Sequence, residues 1–230
     1  MTTKKVTRIK TDIHGFDELI EGGFPKGSNL LVIGTPGSGK TIFSLQYIVN
    51  GALSGEFGIY FTFEEKKEAL FLQANQFGWD LEKLEKDGKL KIISIGTDGI
   101  GENTIGDVVE IITSLKAKRV VVDSVTTLSY LFGDCFTARH MDPTRFMYSF
   151  ITGFNNIKNL TTLFISQKNS ESSKVSEYIC DGILSFDSES LGGSYSRNLS
   201  VKKMRSTKND DDLHPFEIKD GEGIKIHNFI

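Results

Sequence analysis

The residues best suited to chemistry form an unbroken octapeptide, GTPGSGKT, at positions 34–41. It fits the G-x-x-x-x-G-K-[ST] (Walker A) pattern of a phosphate-binding loop, whose glycines let successive backbone N–H groups converge on a phosphate. The cation of Lys40 would face the β- and γ-phosphates, and the hydroxyl of Thr41 would ligate Mg²⁺. The pattern predicts that a nucleoside triphosphate is held by Gly34, Thr35, Pro36, Gly37, Ser38, Gly39, Lys40 and Thr41.

The segments on either side of this octapeptide support the motif. An apolar strand is predicted at 30–33, and an amphipathic helix follows, with Ile42, Leu45, Val49 and Ala52 near one face. The first turn of such a helix offers unpaired N–H groups and the positive end of its dipole. A glycine-rich turn that fits the pattern by chance would not need these flanking elements. ATP and Mg²⁺ are therefore the expected ligands.

Hydrolysis needs a carboxylate that organises the metal and a group that activates water. Asp123 follows three valines at the end of a predicted buried strand, where ligands collect in open α/β sheets. Glu64 and Glu65 follow the strand after the phosphate-loop helix, where a carboxylate could accept a proton from water. Each has a plainer interpretation: Asp123 as a helix N-cap, and the glutamates as first-turn residues stabilised by the helix dipole. For the glutamates, the residues alone leave both interpretations open.

Strands and helices alternate along most of the chain. Strands are predicted at 58–63, 90–95, 120–123 and 161–166, and helices at 66–77, 105–115 and 144–157, with loops at 96–103 and 128–143. This alternation favours a parallel sheet with right-handed crossovers. Four short strand candidates at 183–186, 199–204, 215–218 and 223–226 predict an antiparallel C-terminal edge. The expected fold class is α/β, mostly parallel and flanked by helices, in a single domain over residues 1–230.

Composition sets further expectations. The net charge is −3, which gives no overall attraction to nucleic acid. No apolar run approaches the roughly 20 residues that cross a bilayer, and the N-terminus lacks a signal-peptide core, so we expect a cytoplasmic protein without membrane association. The cysteines, Cys135 and Cys180, have no metal-ligand spacing and are expected to be reduced.

Several motifs together resemble one family. They are IHGFDELIEGGFPKG at 13–27, the octapeptide at 34–41, FEE at 63–65, FGWD at 77–80 and VVVDSV at 120–125. In this order they resemble a single domain of the KaiC-like ATPases within the RecA superfamily, over nearly the whole chain. The resemblance implies a RecA-like P-loop NTPase core. It also implies that Glu64 and Glu65 are the catalytic pair and that Asp123 is the Walker B aspartate.

The same resemblance gives a role to a basic pair near the C-terminus. Lys203, Met204 and Arg205 match the family's K-L-R motif, which reaches across a subunit interface toward a neighbour's γ-phosphate. Lys203 and Arg205 are two residues apart in a predicted strand and so project to one face. A solvated basic strand face is the alternative. The catalytic interpretation implies a ring, expected to be a hexamer.

Gln167 ends the fifth predicted core strand, where RecA-like proteins often place a γ-phosphate sensor, although a structural role is equally open. The expected function is a nucleotide-responsive regulatory ATPase ring with an unidentified protein partner. One alternative is a recombinase or helicase whose nucleic acid would contact two predicted loops, 128–143 and 168–174. These hold aromatic Tyr130, Phe132 and Phe136 but few charges, so nucleic acid is not expected. Another is a slow-hydrolysing, ATP-dependent interaction scaffold, which would use the same residues.

Overall fold

A computed structural model of the chain describes residues 6–96, 99–101, 103–136, 142–188 and 197–227. The strands within these residues are β1 Arg8–Ile9, β2 Phe24–Pro25, β3 Asn29–Gly34, β4 Gly58–Thr62, β5 Leu90–Ser94, β6 Arg119–Asp123, β7 Thr161–Gln167, β8 Gly182–Asp187, β9 Asn198–Met204, β10 His214–Lys219 and β11 Gly223–Ile226. The helices are α1 Lys40–Leu53, α2 Lys67–Asn75, α3 Leu81–Lys86, α4 Thr104–Ser114, α5 Val125–Phe136, α6 Pro143–Gly153 and α7 Glu171–Ile179.

One nine-stranded sheet organises the molecule, in the order β11-β10-β9-β8-β3-β7-β6-β4-β5. The strands from β8 to β5 are parallel, and β9, β10 and β11 continue the sheet with antiparallel pairing. Gly34 pairs with Gln167, and Thr62 pairs with Asp123. The carboxyl ends of β3, β7, β6 and β4 therefore meet at one edge of the sheet, which confirms the predicted α/β fold class.

Both faces of the sheet are covered, as parallel sheets require. Alternating residues of β3 point to opposite sides: Leu30 and Val32 pack with the core under α1, whereas Leu31 and Ile33 pack with the core under α4, α5 and α6. Both cores consist largely of aliphatic and phenylalanine side chains that are less than a tenth exposed. Within the described residues, no helix has the length and apolar character needed to span a bilayer.

The predicted loop at 128–143 is wrong over its first half, because Val125–Phe136 is helix α5. Val125, Leu128 and Phe132 recur at three- and four-residue spacing and are buried, which is the helical pattern that the polar residues between them obscure. Phe132 is therefore in the core and is not available to stack on a base. Arg139 and His140, the basic residues of that predicted loop, lie outside the described residues.

The C-terminal prediction is corrected at two places. Residues 171–174, predicted as loop, begin helix α7, which has Ser170 as its N-cap. Its buried face carries Ser172, Ser173 and Ser176, so hydrophobic periodicity could not indicate it. β8, predicted as part of the antiparallel edge, instead pairs parallel with β3 and belongs to the core, because α7 supplies the crossover. β9, β10 and β11 form the antiparallel edge as predicted.

Candidate functional site

The phosphate loop occupies the turn between β3 and α1. At Gly34 a Cβ atom would lie 2.4 Å from the Phe186 carbonyl oxygen and 2.6 Å from Ser38 Oγ, so only glycine fits. Gly39 has φ +100° and lies against Ile218, whose Cδ1 would be 3.2 Å from an added Cβ. This left-handed backbone lets the chain enter α1 with no side-chain cap on the first turn. The N–H groups there are the donors that bind anions in such loops.

Two polar side chains indicate that the loop binds an anion. The hydroxyl of Ser38 is buried and has no hydrogen-bond partner among the described residues. Lys40 Nζ donates to the carbonyl oxygens of Gly34 and Thr35, at 3.0 and 2.9 Å, so the ammonium lies inside the curve of the loop. Burial lowers the pKa of Lys40, while the nearby charges of Asp123 and Glu64 act in the opposite direction. The loop thus gathers donors around a space suited to phosphate oxygens.

Asp123 ends β6 beside the start of α1. Its Oδ2 accepts a 2.6 Å hydrogen bond from the Tyr60 hydroxyl and lies 3.4 Å from Thr41 Oγ1. Burial raises the pKa of Asp123 to about 6, against the lowering effect of the bond from Tyr60. A carboxylate and a hydroxyl oxygen this close are the hard ligands that Mg²⁺ prefers, and cation binding would offset the cost of the buried charge. Thr41 and Asp123 therefore have the chemistry and the proximity to hold a magnesium ion.

The two glutamates after β4 have different surroundings. Glu64 is exposed, and its Oε1 accepts hydrogen bonds from Ser124 Oγ and Thr127 Oγ1 at the start of α5. Glu65 is half-buried and accepts a hydrogen bond from Gln73 Nε2 of α2. Burial raises the pKa of Glu65, and the bond from Gln73 opposes that shift. Glu64 therefore lies toward Asp123 and Lys40, whereas the carboxylate of Glu65 is directed to α2.

Gln167 ends β7, between the strand that carries the phosphate loop and the strand that carries Asp123. Its side chain is exposed, and its backbone N–H donates to Thr126 Oγ1 at 2.9 Å. Gly34 is its register partner on β3. The predicted sensor residue thus stands at the same sheet edge as the phosphate loop.

Lys203 and Arg205 lie near each other but away from the phosphate loop of their own chain. Met204 pairs with Gly182, which pairs with Leu30, four residues before Gly34. That offset is about 13 Å along the strand direction. Their contacts lie elsewhere, because Lys203 Nζ donates to the Cys180 carbonyl at 2.7 Å and Arg205 Nη1 donates to Asp181 Oδ1 at 2.9 Å.

Three further residues of this site, Ser124, Thr127 and Tyr60, are not among those predicted from the sequence. The visible signal was the run DSVTT after the valine strand, in which positions 124 and 127 share a helix face. Because 128–143 is predicted as a loop, the sequence does not predict helix α5, at whose start these two positions lie. The sequence predicts only a strand at Tyr60, and the Tyr60 hydroxyl reaches Asp123 because β4 and β6 are neighbours.

The parallel sheet, the phosphate loop and the carboxylates at neighbouring strand ends define a P-loop ATPase core of the RecA type. A family model described as "ATPase: KaiC" matches residues 9–229. The chain belongs to this KaiC ATPase family.

Relatives match over nearly all of this chain. A UPF0273 protein of Thermotoga maritima is 37% identical over 245 residues, covering 96% of each chain. The circadian clock oscillator protein KaiC of Synechococcus elongatus is 31% identical over 236 residues, covering 96% of this chain but 44% of that protein. The crystal structure of a KaiC-like protein from Pyrococcus horikoshii matches with a TM-score of 0.82 at 32% identity, covering 97% of this chain and all of the other. The fold and family are therefore shared with these proteins.

Proposed function

We propose that this chain is a Mg²⁺-dependent ATP hydrolase, formed as one ATPase domain over residues 1–230 and working as a regulatory ring. The observation that carries the proposal is the convergence of three charges. Thr41 Oγ1, next to Lys40, lies 3.4 Å from Asp123 Oδ2, and the hydroxyl of Ser124, next to Asp123, donates to Glu64. Lys40, Asp123 and Glu64 thus come together from three different elements. A cation facing phosphates, a metal-binding carboxylate and an exposed carboxylate base are the parts that phosphoryl transfer to water requires.

Each residue has a defined task in this proposal. The loop N–H groups and Lys40 would bind and orient the triphosphate, and Thr41 and Asp123 would hold Mg²⁺, which would supply charge neutralisation for phosphoryl transfer. Glu64 accepts the proton of the attacking water, because its carboxylate is exposed and oriented by two hydroxyls. Glu65 supports α2 through Gln73 and is the second member of the acidic pair. Gln167 contacts the γ-phosphate side of the site.

The position of the basic pair supports the proposed ring. Lys203 and Arg205 cannot act on the phosphate loop about 13 Å away in their own chain, so a catalytic role requires a neighbour's nucleotide. A head-to-tail arrangement closed on itself, proposed as a hexamer, supplies that neighbour. The contact of Arg205 with Asp181 is more than half exposed on the arginine side, so the guanidinium can exchange it for a phosphate.

A subunit-mixing experiment tests the hydrolase and the ring together. Arg205→Ala protein lacks the arginine but keeps Glu64, whereas Glu64→Gln protein lacks the base but keeps Arg205. Each alone should lose ~10²–10⁵ in rate, and a mixture should recover activity because some junctions contain both groups. Ring formation and subunit exchange are verified first by light scattering and labelled subunits. With exchange shown and no recovery at any ratio, the trans-acting role of Arg205 is wrong.

Two functional alternatives remain distinguishable by experiment. A slow-hydrolysing scaffold would use the same residues, and it would bind a protein partner with little turnover. A recombinase would be stimulated by single-stranded DNA, but the burial of Phe132 in α5 removes one of the aromatic side chains that this alternative requires for base stacking.

We further propose that the ring works in the cytoplasm, where the buried free thiol of Cys180 stays reduced.

A further inference from the structure

A groove between α4 and α6 lies on the side of the sheet opposite α1. Its floor is apolar and is formed by Ile105, Val109 and Ile112 of α4 and by Ile157, which follows α6. Its volume is about 730 Å³. Ile105, Val109 and Ile157 are only partly buried, so their apolar surface faces the open groove. We call this surface the α4–α6 groove.

Three lysines surround the floor. Lys116 and Lys118 belong to the turn between α4 and β6, and Lys158 belongs to the turn before β7. None of the three makes a side-chain hydrogen bond or ion pair with another described residue. None of the residues that line the groove carries a carboxylate, and Asp107 and Glu110 of α4 are not among them. A chain of net charge −3 thus presents a local basic rim around apolar surface.

Two glycines, Gly106 and Gly153, leave backbone uncovered at the walls of the groove. Gly106 lies in α4, and an added Cβ there would meet no atom within 4 Å. Gly153 ends α6, where an added Cβ would lie 3.5 Å from Ile105 Cγ2. Small residues on facing helices let another backbone approach the floor. The stretch of α4 from Ile105 to Ser114 is about 15 Å long, which matches three turns of a helix laid along it.

We propose that the α4–α6 groove binds an acidic amphipathic helix of a protein partner. The apolar face of that helix would cover the isoleucine and valine floor, and its carboxylates would pair with Lys116, Lys118 and Lys158. This is the helix-in-groove mode of recognition, with leucine-like anchors at i, i+3, i+4 and i+7. The charge of the rim selects an acidic partner over a basic one, since like charges across an interface are repelled.

The groove is separate from the nucleotide site. Lys118 immediately precedes β6, and Asp123 ends it, so about 16 Å of strand lies between them. Changes in the groove should therefore leave ATP binding unchanged. Measured ATP affinity then serves as a control for folding in every groove variant.

The test uses a designed probe, a fluorescein-labelled 18-residue peptide of Glu, Ala and Leu with leucines at i, i+3, i+4, i+7 and i+11. Anisotropy should show saturable binding below about 1 mM, and a peptide of the same composition with scrambled leucines should not bind. Lys116→Glu/Lys118→Glu/Lys158→Glu should weaken binding at least about tenfold, because three ion pairs become repulsions. The matched control Lys26→Glu/Lys89→Glu/Lys91→Glu changes net charge equally at exposed lysines elsewhere.

A second variant tests the floor without changing charge. Gly106→Phe places an aromatic ring in the groove at a position with open space, and it should weaken binding by a similar factor. The proposal is wrong if the native chain does not bind the probe, or if groove and control variants bind it equally. It is also wrong if the groove variants alter self-association or binding of a duplex DNA probe but not binding of the peptide. Those results would assign the groove to a second copy of the chain or to nucleic acid.

Discussion

Thr127→Val is the perturbation that tests most directly how the proposed base is held. Glu64 Oε1 accepts hydrogen bonds from the hydroxyls of Ser124 and Thr127, and valine removes the second bond while keeping the side-chain shape. Ser124 is a poorer choice, because its Oγ also accepts the Thr127 backbone N–H and so supports the first turn of α5. We expect Thr127→Val to bind ATP normally and to hydrolyse it more slowly.

The size of the effect follows from the bond that is lost. A hydrogen bond to a charged acceptor contributes about 1.5–3 kcal/mol, and every 1.4 kcal/mol is tenfold in rate. Glu64 is exposed, and one of its two hydroxyl partners remains, so the smaller value applies. We therefore expect kcat to fall about tenfold in Thr127→Val, and about a hundredfold in Ser124→Ala/Thr127→Val. KM should change less than about threefold, because neither hydroxyl contacts the phosphate loop in the structure.

Steady-state phosphate release at saturating Mg-ATP measures the effect, with nucleotide affinity determined by calorimetry. Thr127→Ser keeps a hydroxyl at the same position and should restore most of the rate. Thr152→Val is the matched control, because Thr152 is also a helical threonine and, in the part of the chain that the structure describes, its hydroxyl bonds to helix backbone alone. A Thr127→Val protein with the parental kcat would refute the idea that these hydroxyls orient the base. Slow rates in both Thr127→Val and Thr127→Ser would show instead that α5 itself is disturbed.

Two further predictions concern the same site, and a third concerns a buried thiol away from it. Lys40→Ala should weaken Mg-ATP binding with the fold intact, and unchanged calorimetric affinity would remove the phosphate-loop assignment. Glu64→Gln should slow hydrolysis by ~10²–10⁴. Glu65→Gln should slow it less, because the carboxylate of Glu65 is held by Gln73. The reverse order in a phosphate-release assay would make Glu65 the base. Burial raises the pKa of Cys180 to about 12, so at pH 8 its thiolate fraction should be ~10³-fold below that of an ordinary thiol. Iodoacetamide labelling of Cys180, followed by mass spectrometry, should be slower by the same factor until urea unfolds the chain.

The parallel core could be predicted because its signals are local. Each strand from β3 to β7 is a short apolar run, and a helix with regular apolar spacing separates most of them. The strand-end rule then predicted that the phosphate loop, Glu64 and Asp123 would meet at one sheet edge. The structure places them there, since Thr62 pairs with Asp123 and Gly34 pairs with Gln167.

Helix α7 could not be predicted in this way because its buried face is polar. Ser172, Ser173 and Ser176 pack inward, and Ser173 and Ser176 bond to backbone carbonyls of the preceding turn. Their burial depends on tertiary packing that no local pattern indicates. Missing this helix also removed the crossover that makes β8 a parallel core strand, so one local error produced an error of topology.

The role of Lys203 and Arg205 is harder to predict for a different reason, because it depends on how subunits assemble and not on local sequence pattern. Within one chain, Lys203 donates to the carbonyls of Glu177 and Cys180 at the C-terminal end of α7, where the helix dipole also favours a cation. Its structural role is therefore complete without a neighbour, and replacing it would disturb α7 as well as any ring contact. Arg205 makes one exposed ion pair with Asp181, and such pairs contribute about 0–1 kcal/mol. Loss of activity in Arg205→Ala with unchanged thermal stability would thus point to another subunit, whereas the same loss in Lys203→Ala could arise within the chain.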